Sequence, residues 1–465
     1  MNLSPDPTPQ PISNDTPQTS FLTAEINRGA LRQELRPSKL TVEHNQHFYE
    51  ITNFDGASLE VLVAAEEQLS RDFSPSPDLS YSYRGRNRFE LTSTERALAY
   101  RLERLMDQTV LDETRPTLSR LSPRSVVFTG PLTNGLGQRV LKELGADSGE
   151  LVLDRFANSE TRIEMLDSVR DKRAFVLMSL NDPVNEAVME TALLVQALKL
   201  ADAKKITVVA PYFAYGRQDR RSDSRPPISA KAVCDILKSM GAHQIITVDV
   251  HARQVEGFFD GPFDNLEGLQ HMLPSLIANE GSELVVVSPD AGGSKRAQSV
   301  AQLVEQLTES YTPLLVMSKF RPGPGEEPRV TMPVGREFLE GKTCVLIDDM
   351  IDTGGSMIAA ARALKENGAA RVVIASSHGI FSQNAVERLE QAEINGSRII
   401  DRLYVTDTVP VYCARSDFFR VVSLAPLLAE AIERLDRSEQ SVSELNKRND
   451  LGMPLRVYGR LRSDS

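Results

Sequence analysis

From residue 125 onward the chain alternates two hydrophobic patterns. Short apolar runs at 126–128, 174–178, 206–209, 245–248, 284–287, 314–317, 345–347 and 372–375 have the length and character of buried strands. Between them, segments such as 186–201 and 230–240 place apolar residues at helical spacing. Strands alternating with helices predict parallel sheets covered on both faces. The pattern runs for about 300 residues, which predicts an α/β protein of two tandem doubly wound parallel-sheet domains. A break at Asn279-Glu280-Gly281-Ser282 puts the boundary near 274–282.

The chain before residue 125 reads differently. Residues 1–20 are dense in Pro, Ser, Thr and Asp and are expected to be a disordered tail, because they bury too little apolar surface to order themselves. Residues 21–124 hold a helical pattern at 93–108, a polar stretch with Pro and Arg at 75–88, and no motif that carries chemistry. They are expected to form an appended domain or arm, an N-terminal extension. The expected division is 1–20, 21–124, 125–275, 276–435 and a C-terminal tail at 436–465.

Composition narrows the class. A length of 465 residues suggests about three units. The net charge of -11 argues against a nucleic-acid surface. No apolar run approaches the ~18 residues of a membrane span, and the first 20 residues lack the apolar core of a secretory signal. Cys234, Cys344 and Cys413 sit in or near apolar segments without metal-ligand spacing, which points to buried thiols in a reducing compartment. A soluble cytoplasmic protein is expected.

The densest chemical signal is Thr343-Cys344-Val345-Leu346-Ile347-Asp348-Asp349-Met350-Ile351-Asp352-Thr353-Gly354-Gly355-Ser356. A buried strand ends in two carboxylates, a Gly-rich turn follows, and a helix over 357–367 is predicted, capped by Gly368. Backbone N–H groups at such a turn bind phosphate, helped by the helix dipole. The carboxylates before it suit sugar hydroxyls or a metal on the same ligand. The loop resembles the phosphoribosyl-diphosphate (PRPP) loop of type I phosphoribosyltransferases and PRPP synthetases.

Other polar motifs also follow the apolar runs, where parallel sheets bind ligands. They are Tyr215-Gly216-Arg217-Gln218-Asp219-Arg220-Arg221, Asp249-Val250-His251, Ser288-Pro289-Asp290-Ala291-Gly292-Gly293 and Lys319-Phe320-Arg321. Taken singly, each has a plainer reading. A Phe at a strand end is ordinarily core, an Arg-rich turn is often a solvated loop, and a lone His is often a hydrogen-bonded core residue.

Together, and with Phe156-Ala157-Asn158-Ser159-Glu160, Pro227-Ile228-Ser229-Ala230-Lys231, Gln254-Val255-Glu256-Gly257-Phe258-Phe259 and His378-Gly379-Ile380-Phe381-Ser382, they are similar to ribose-phosphate pyrophosphokinase, the PRPP synthetase family. The resemblance runs from about 126 to 445. It implies that Asp348 and Asp349 accept ribose hydroxyls and that Asp352, Thr353, Gly354, Gly355 and Ser356 cradle the 5-phosphate. It implies ATP binding by Phe156, Asn158 and Glu160 at adenine and by Arg217, Gln218 and Arg220 at the phosphates. His251 and Asp290 would hold Mg²⁺, the implied cofactor. Lys319 and Arg321, with His251, would be catalytic, on a Gly/Pro loop longer than is usual in the family.

The reaction so implied is ATP plus ribose 5-phosphate giving PRPP and AMP, in a homo-oligomer that is commonly a hexamer. Two other readings stand beside it. One is a catalytically silent subunit associated with an active PRPP synthetase; the other is a PRPP-consuming transferase, against which the ATP-side motifs argue. Ser168, Arg170, Ser441 and Ser443 match parts of the family's regulatory anion site. Asp202 stands where the family commonly has a hydroxyl.

Overall fold

The structure, a computed structural model, describes residues 119–447 save 131–132, 134, 222–224, 321–328, 332–335, 412–416 and 438–440, together with five short strands before them. The helix expected over 93–108, most of the 1–20 tail, Cys413 and Arg321 lie outside the described residues. The chain divides into two units, one formed by 1–81 with 91–110 and the other by 82–90 with 111–465. In the first, β1 (Ser20–Glu25), β2 (Lys39–Asn45) and β3 (Phe48–Thr52) form an antiparallel sheet in that order.

The second unit opens with the pair β4 (Ser82–Tyr83) and β5 (Phe89–Glu90). It continues through β6 (Ser125–Thr129), α1 (Leu136–Leu144), the hairpin β7 (Leu151–Arg155) and β8 (Thr161–Met165), then β9 (Arg173–Leu177) and α2 (Val184–Leu200). β10 (Lys205–Ala210), α3 (Ser229–Met240), β11 (Gln244–Val248) and β12 (Phe263–Leu266) complete a five-stranded parallel sheet of order β12-β11-β10-β9-β6. Strand side chains alternate faces. Ala174 and Val176 thus pack under α2 and α3, while Phe175 and Leu177 pack on the opposite face with Leu136 and Val140 of α1.

α4 (Leu273–Glu280), β13 (Leu284–Ser288), α5 (Ser294–Thr308), β14 (Leu314–Val316), the hairpin β15 (Ser318–Phe320) and β16 (Arg329–Thr331), and α6 (Arg336–Leu339) lead into β17 (Thr343–Ile351). After it come α7 (Gly355–Glu366), β18 (Arg371–Gly379), α8 (Ala385–Glu390), the pair β19 (Glu393–Ile394) and β20 (Ser397–Arg398), β21 (Arg402–Thr406), β22 (Phe419–Val422) and α9 (Ala425–Arg437). The six-stranded parallel sheet runs β14-β13-β17-β18-β21-β22. Its strand order reverses between β13 and β17, and the crevice at such a reversal is where open α/β sheets bind ligands.

The two sheets exchange helices. α9 follows the second sheet in sequence, yet its Leu428 and Ile432 pack on Phe175, Val209 and Ile246 of the first, joined by Val442 and Leu445. α4 does the reverse: its Leu273, Leu276 and Ile277 pack on Val286, Val345 and Tyr404 of the second sheet. The sequence expectation assigned 276–435 wholly to the second domain and 436–465 to a tail. The buried apolar faces at 425–432 and at Val442 and Leu445 lie on the first sheet instead. At full burial each Leu or Ile contributes roughly 1.5–3 kcal/mol, so this exchange ties the two halves together.

Candidate active site

The carboxyl ends of the two sheets meet along a buried polar seam. His378 of β18 donates from Nε2 to the Val248 carbonyl at 3.0 Å, and its Nδ1 stands 2.8 Å from the Thr408 hydroxyl. A carbonyl only accepts, so Nε2 carries the proton and Nδ1 receives the Thr408 hydrogen bond. Burial pushes this imidazole down to about 4. Asp249 accepts from the Leu269 N–H at 2.8 Å and from the Ser377 hydroxyl. Burial raises its carboxyl to about 6, against the opposing pull of those hydrogen bonds.

Two residues after Asp249, His251 places Nδ1 2.8 Å from Asp349 Oδ2. β17 runs past both carboxylates to Ile351 rather than ending in them. Arg296, in the first turn of α5, reaches Asp349 Oδ1 at 3.0 Å and Asp348 Oδ1 at 3.2 Å. The Asp349 N–H also donates to Asp348 Oδ1, at 2.9 Å. Burial and then the Asp349 charge push the Asp348 carboxyl well above its ordinary range. At Asp349 burial acts upward too, but the hydrogen bond from His251 and the Arg296 charge outweigh it and hold that carboxyl low. The Asp349 hydrogen bond in turn raises the His251 imidazole, against the effect of burial.

The loop after β17 opens α7. Gly354 is its N-cap at φ 75, where a Cβ would stand 3.0 Å from Leu389 Cγ. Left-handed backbone and this close approach both require glycine. The helix starts at Gly355, two residues earlier than the sequence pattern suggests. Arg388 of α8 donates to the Thr353 carbonyl at 3.1 Å and backs the loop. Asp352 turns its carboxylate to Arg217 at 2.8 Å. Burial would raise it, but hydrogen bonds from Ser382 and Arg217 prevail and hold it below the usual range.

Arg217 comes from the loop after β10, and Gly216 before it lies beside His251, a built Cβ standing 3.7 Å from His251 Cβ. Arg217, Gln218 and Arg220 are exposed, while Asp219 is buried and receives a hydrogen bond from Gln254. Gln218 Oε1 accepts from the Ser229 hydroxyl at 2.5 Å. Asp290, at the end of β13, accepts the Gly293 N–H at 3.2 Å and so shapes the turn into α5. Lys319 lies on β15, paired in the backbone with Val330 of β16.

Two sets of expected residues stand elsewhere. Phe156, Asn158 and Glu160 form the exposed tip of the β7–β8 hairpin, with Phe156 53% exposed, so it is no core residue. Arg155 pins that hairpin to α2 through Glu186 and Glu190, both at 2.7 Å. Arg170 and Asp202 face each other at 4.0 Å, next to an exposed Ser168. Ser441 and Ser443 hydrogen-bond to each other at 2.7 Å. Within one chain these two groups do not share a face: Val169 packs under α2 and α3, and Val442 packs on the opposite side with α9.

Arg296, Arg388 and His378 escaped the sequence reading as site residues. Arg296 is legible as a cation in the first turn of a helix that follows the Asp290-Ala291-Gly292-Gly293 turn, and His378 only as the first residue of the His378-Gly379-Ile380-Phe381-Ser382 motif. No group of three or more His, Cys, Asp or Glu among the described residues is arranged to hold a metal. Mg²⁺ is usually bound through one or two carboxylates together with substrate phosphates rather than in an all-protein cage, and the Asp290 carboxylate at the turn into α5 is a donor of that kind.

Two parallel sheets, with a Gly-rich turn opening a helix at the switch point and paired carboxylates before it, define a phosphoribosyltransferase-type α/β protein. Residues 125–241 match the N-terminal domain of ribose phosphate pyrophosphokinase, and 315–447 match the phosphoribosyl synthetase-associated domain. The ribose-phosphate pyrophosphokinase of Chromobacterium violaceum is 41% identical over 323 residues, 69% of this chain and 94% of that protein. That of Nitrosomonas europaea is 40% identical, covering 69% and 97%. The crystal structure of phosphoribosylpyrophosphate synthetase from Mycobacterium smegmatis superposes with a TM-score of 0.60 at 37% identity, over 68% of this chain and 99% of that one. The chain belongs to the ribose-phosphate pyrophosphokinase family.

Proposed function

We propose that this chain is a ribose-phosphate diphosphokinase, which moves the β,γ-diphosphoryl group of ATP to the 1-hydroxyl of ribose 5-phosphate and releases AMP. The observation that carries the reading is the Arg217–Asp352 contact, which sets an Arg-rich loop of one sheet against the sugar-phosphate loop of the other. Asp348 binds a ribose hydroxyl, and the backbone N–H groups of 352–356 hold the 5-phosphate at the start of α7. Arg217, Gln218 and Arg220 take the ATP phosphates, and Phe156, Asn158 and Glu160 take adenine, the ring stacking and the polar groups reading its edge.

The anomeric oxygen attacks the β-phosphorus as the bond to the α-phosphate oxygen breaks, a step that needs alignment and charge neutralisation rather than a covalent intermediate. Mg²⁺, when bound, neutralises phosphate charge, with His251 and Asp290 the residues that would hold it. Lys319 and Arg321 supply positive charge where negative charge builds up on the transferring group.

The protein is proposed to act in the cytoplasm as a homo-oligomer, a hexamer by likeness to its family. The thiols of Cys234 and Cys344, pushed up to about 12 by burial, suit a reducing compartment. No helix among the described residues is long and apolar enough to cross a membrane. Incubation with Mg²⁺, ATP and ribose 5-phosphate tests the reaction. AMP formed in step with PRPP is expected, whereas ADP, or no nucleotide product, would overturn it, the latter in favour of a silent associated subunit.

A further inference from the structure

The two carboxylates at the end of β17 differ in what reaches them. Asp348 keeps 25% of its side chain exposed, whereas Asp349 keeps 2%. Both Asp349 oxygens are engaged, Oδ2 by His251 Nδ1 at 2.8 Å and Oδ1 by Arg296 at 3.0 Å. A sugar hydroxyl has a path to Asp348 and almost none to Asp349.

His251 is delivered by the other sheet. Its loop is already held there by the His378 bond to Val248 and the Ser377 bond to Asp249. A carboxylate that accepts from one imidazole nitrogen sets the ring's orientation and leaves the other nitrogen for a ligand. With Nδ1 given to Asp349, Nε2 is the nitrogen His251 has for substrate or for a cation on substrate.

We propose that Asp349, unlike the sugar-binding Asp348, is a positioning residue, which orients the His251 imidazole across the domain seam. The pair expected to share one task divides it. This inference rests on the diphosphokinase reading.

The test compares Asp348→Asn and Asp349→Asn, with binding of ribose 5-phosphate followed by calorimetry separately from turnover. Asp348→Asn should weaken ribose 5-phosphate binding by about tenfold, because one of the two acceptor oxygens facing the sugar hydroxyl becomes an amide donor. Asp349→Asn should leave that binding within about threefold of native and lower kcat by roughly a hundredfold, a loss confined to the transition state. The double variant Asp349→Asn/His251→Gln should be no slower than the worse single variant, because residues that act as one unit are not additive. Asp349→Glu, which keeps the charge and displaces it by one methylene, carries the same expectation if the Asn variant fails to fold. Equal loss of ribose 5-phosphate binding in both single variants, or additive effects of Asp349 and His251, would overturn the proposal. A native protein that neither binds ribose 5-phosphate nor forms AMP would instead overturn the diphosphokinase reading itself.

Discussion

Arg217 and Asp352 form an ion pair at 2.8 Å that joins the two loops facing the cleft, one from each sheet. With Arg217 half exposed, the pair contributes on the order of 1 kcal/mol or less to stability. Exchanging the carboxylate for a phosphate therefore costs the fold little. Arg217→Ala should melt close to the native temperature while the KM for ATP rises roughly tenfold to a hundredfold, the worth of a charge-assisted phosphate contact. An unchanged KM for ATP would remove Arg217 from the nucleotide site.

Lys319 sits mid-strand in the β15–β16 hairpin, next to a Gly- and Pro-rich segment. A cation that meets the phosphates only as they transfer affects turnover more than ground-state binding. Lys319→Ala should lower kcat by roughly a hundredfold or more, with ATP affinity by equilibrium binding close to native. A near-normal kcat with a raised KM for ATP would show a ground-state role instead.

Acid should weaken the seam through His378. Its ordinary value is near 6.5 and burial holds it at about 4, so between these the unfolded chain takes up a proton that the folded chain refuses. The stability His378 contributes is whole above pH 6.5, is about 2 kcal/mol lower by pH 5, and continues to fall toward pH 4. Asp249, raised by burial to about 6, works in the opposite sense, since protonation on acidification relieves its penalty. Comparison with His378→Gln separates the two. Thermal melts at about pH 7.5 and pH 5 should show a larger acid-induced drop in Tm for the native protein than for the variant. Equal drops would place the acid sensitivity elsewhere.

Lys204 pairs with Asp171 at 3.6 Å and not with Asp202, which leaves Arg170 as the cation facing Asp202. An incoming phosphate meets a carboxylate there, a repulsion of about 1 kcal/mol at 4 Å in a water-like setting. Initial rates are expected to show weak activation by phosphate in the native protein and stronger activation in Asp202→Ser. Strong native activation that the substitution leaves unchanged would contradict this account.

The alternation of apolar runs with helical spacing was enough to establish two parallel sheets, and the order of residues around Asp348 to Ser356 was enough to mark a strand, a Gly-rich turn and a helix start, because strand burial, turn geometry and helix starts are set by neighbours in the chain. The unequal use of Asp348 and Asp349 was not legible. It depends on Arg296, 52 residues away from Asp348, and on His251, 98 residues away from Asp349, brought in by different elements. The exposure of Phe156 and the crossing of α9 to the first sheet were hidden for the same reason. An amphipathic helix shows in sequence that it has an apolar face, but which sheet that face covers is settled only when both sheets compete for it in the folded chain.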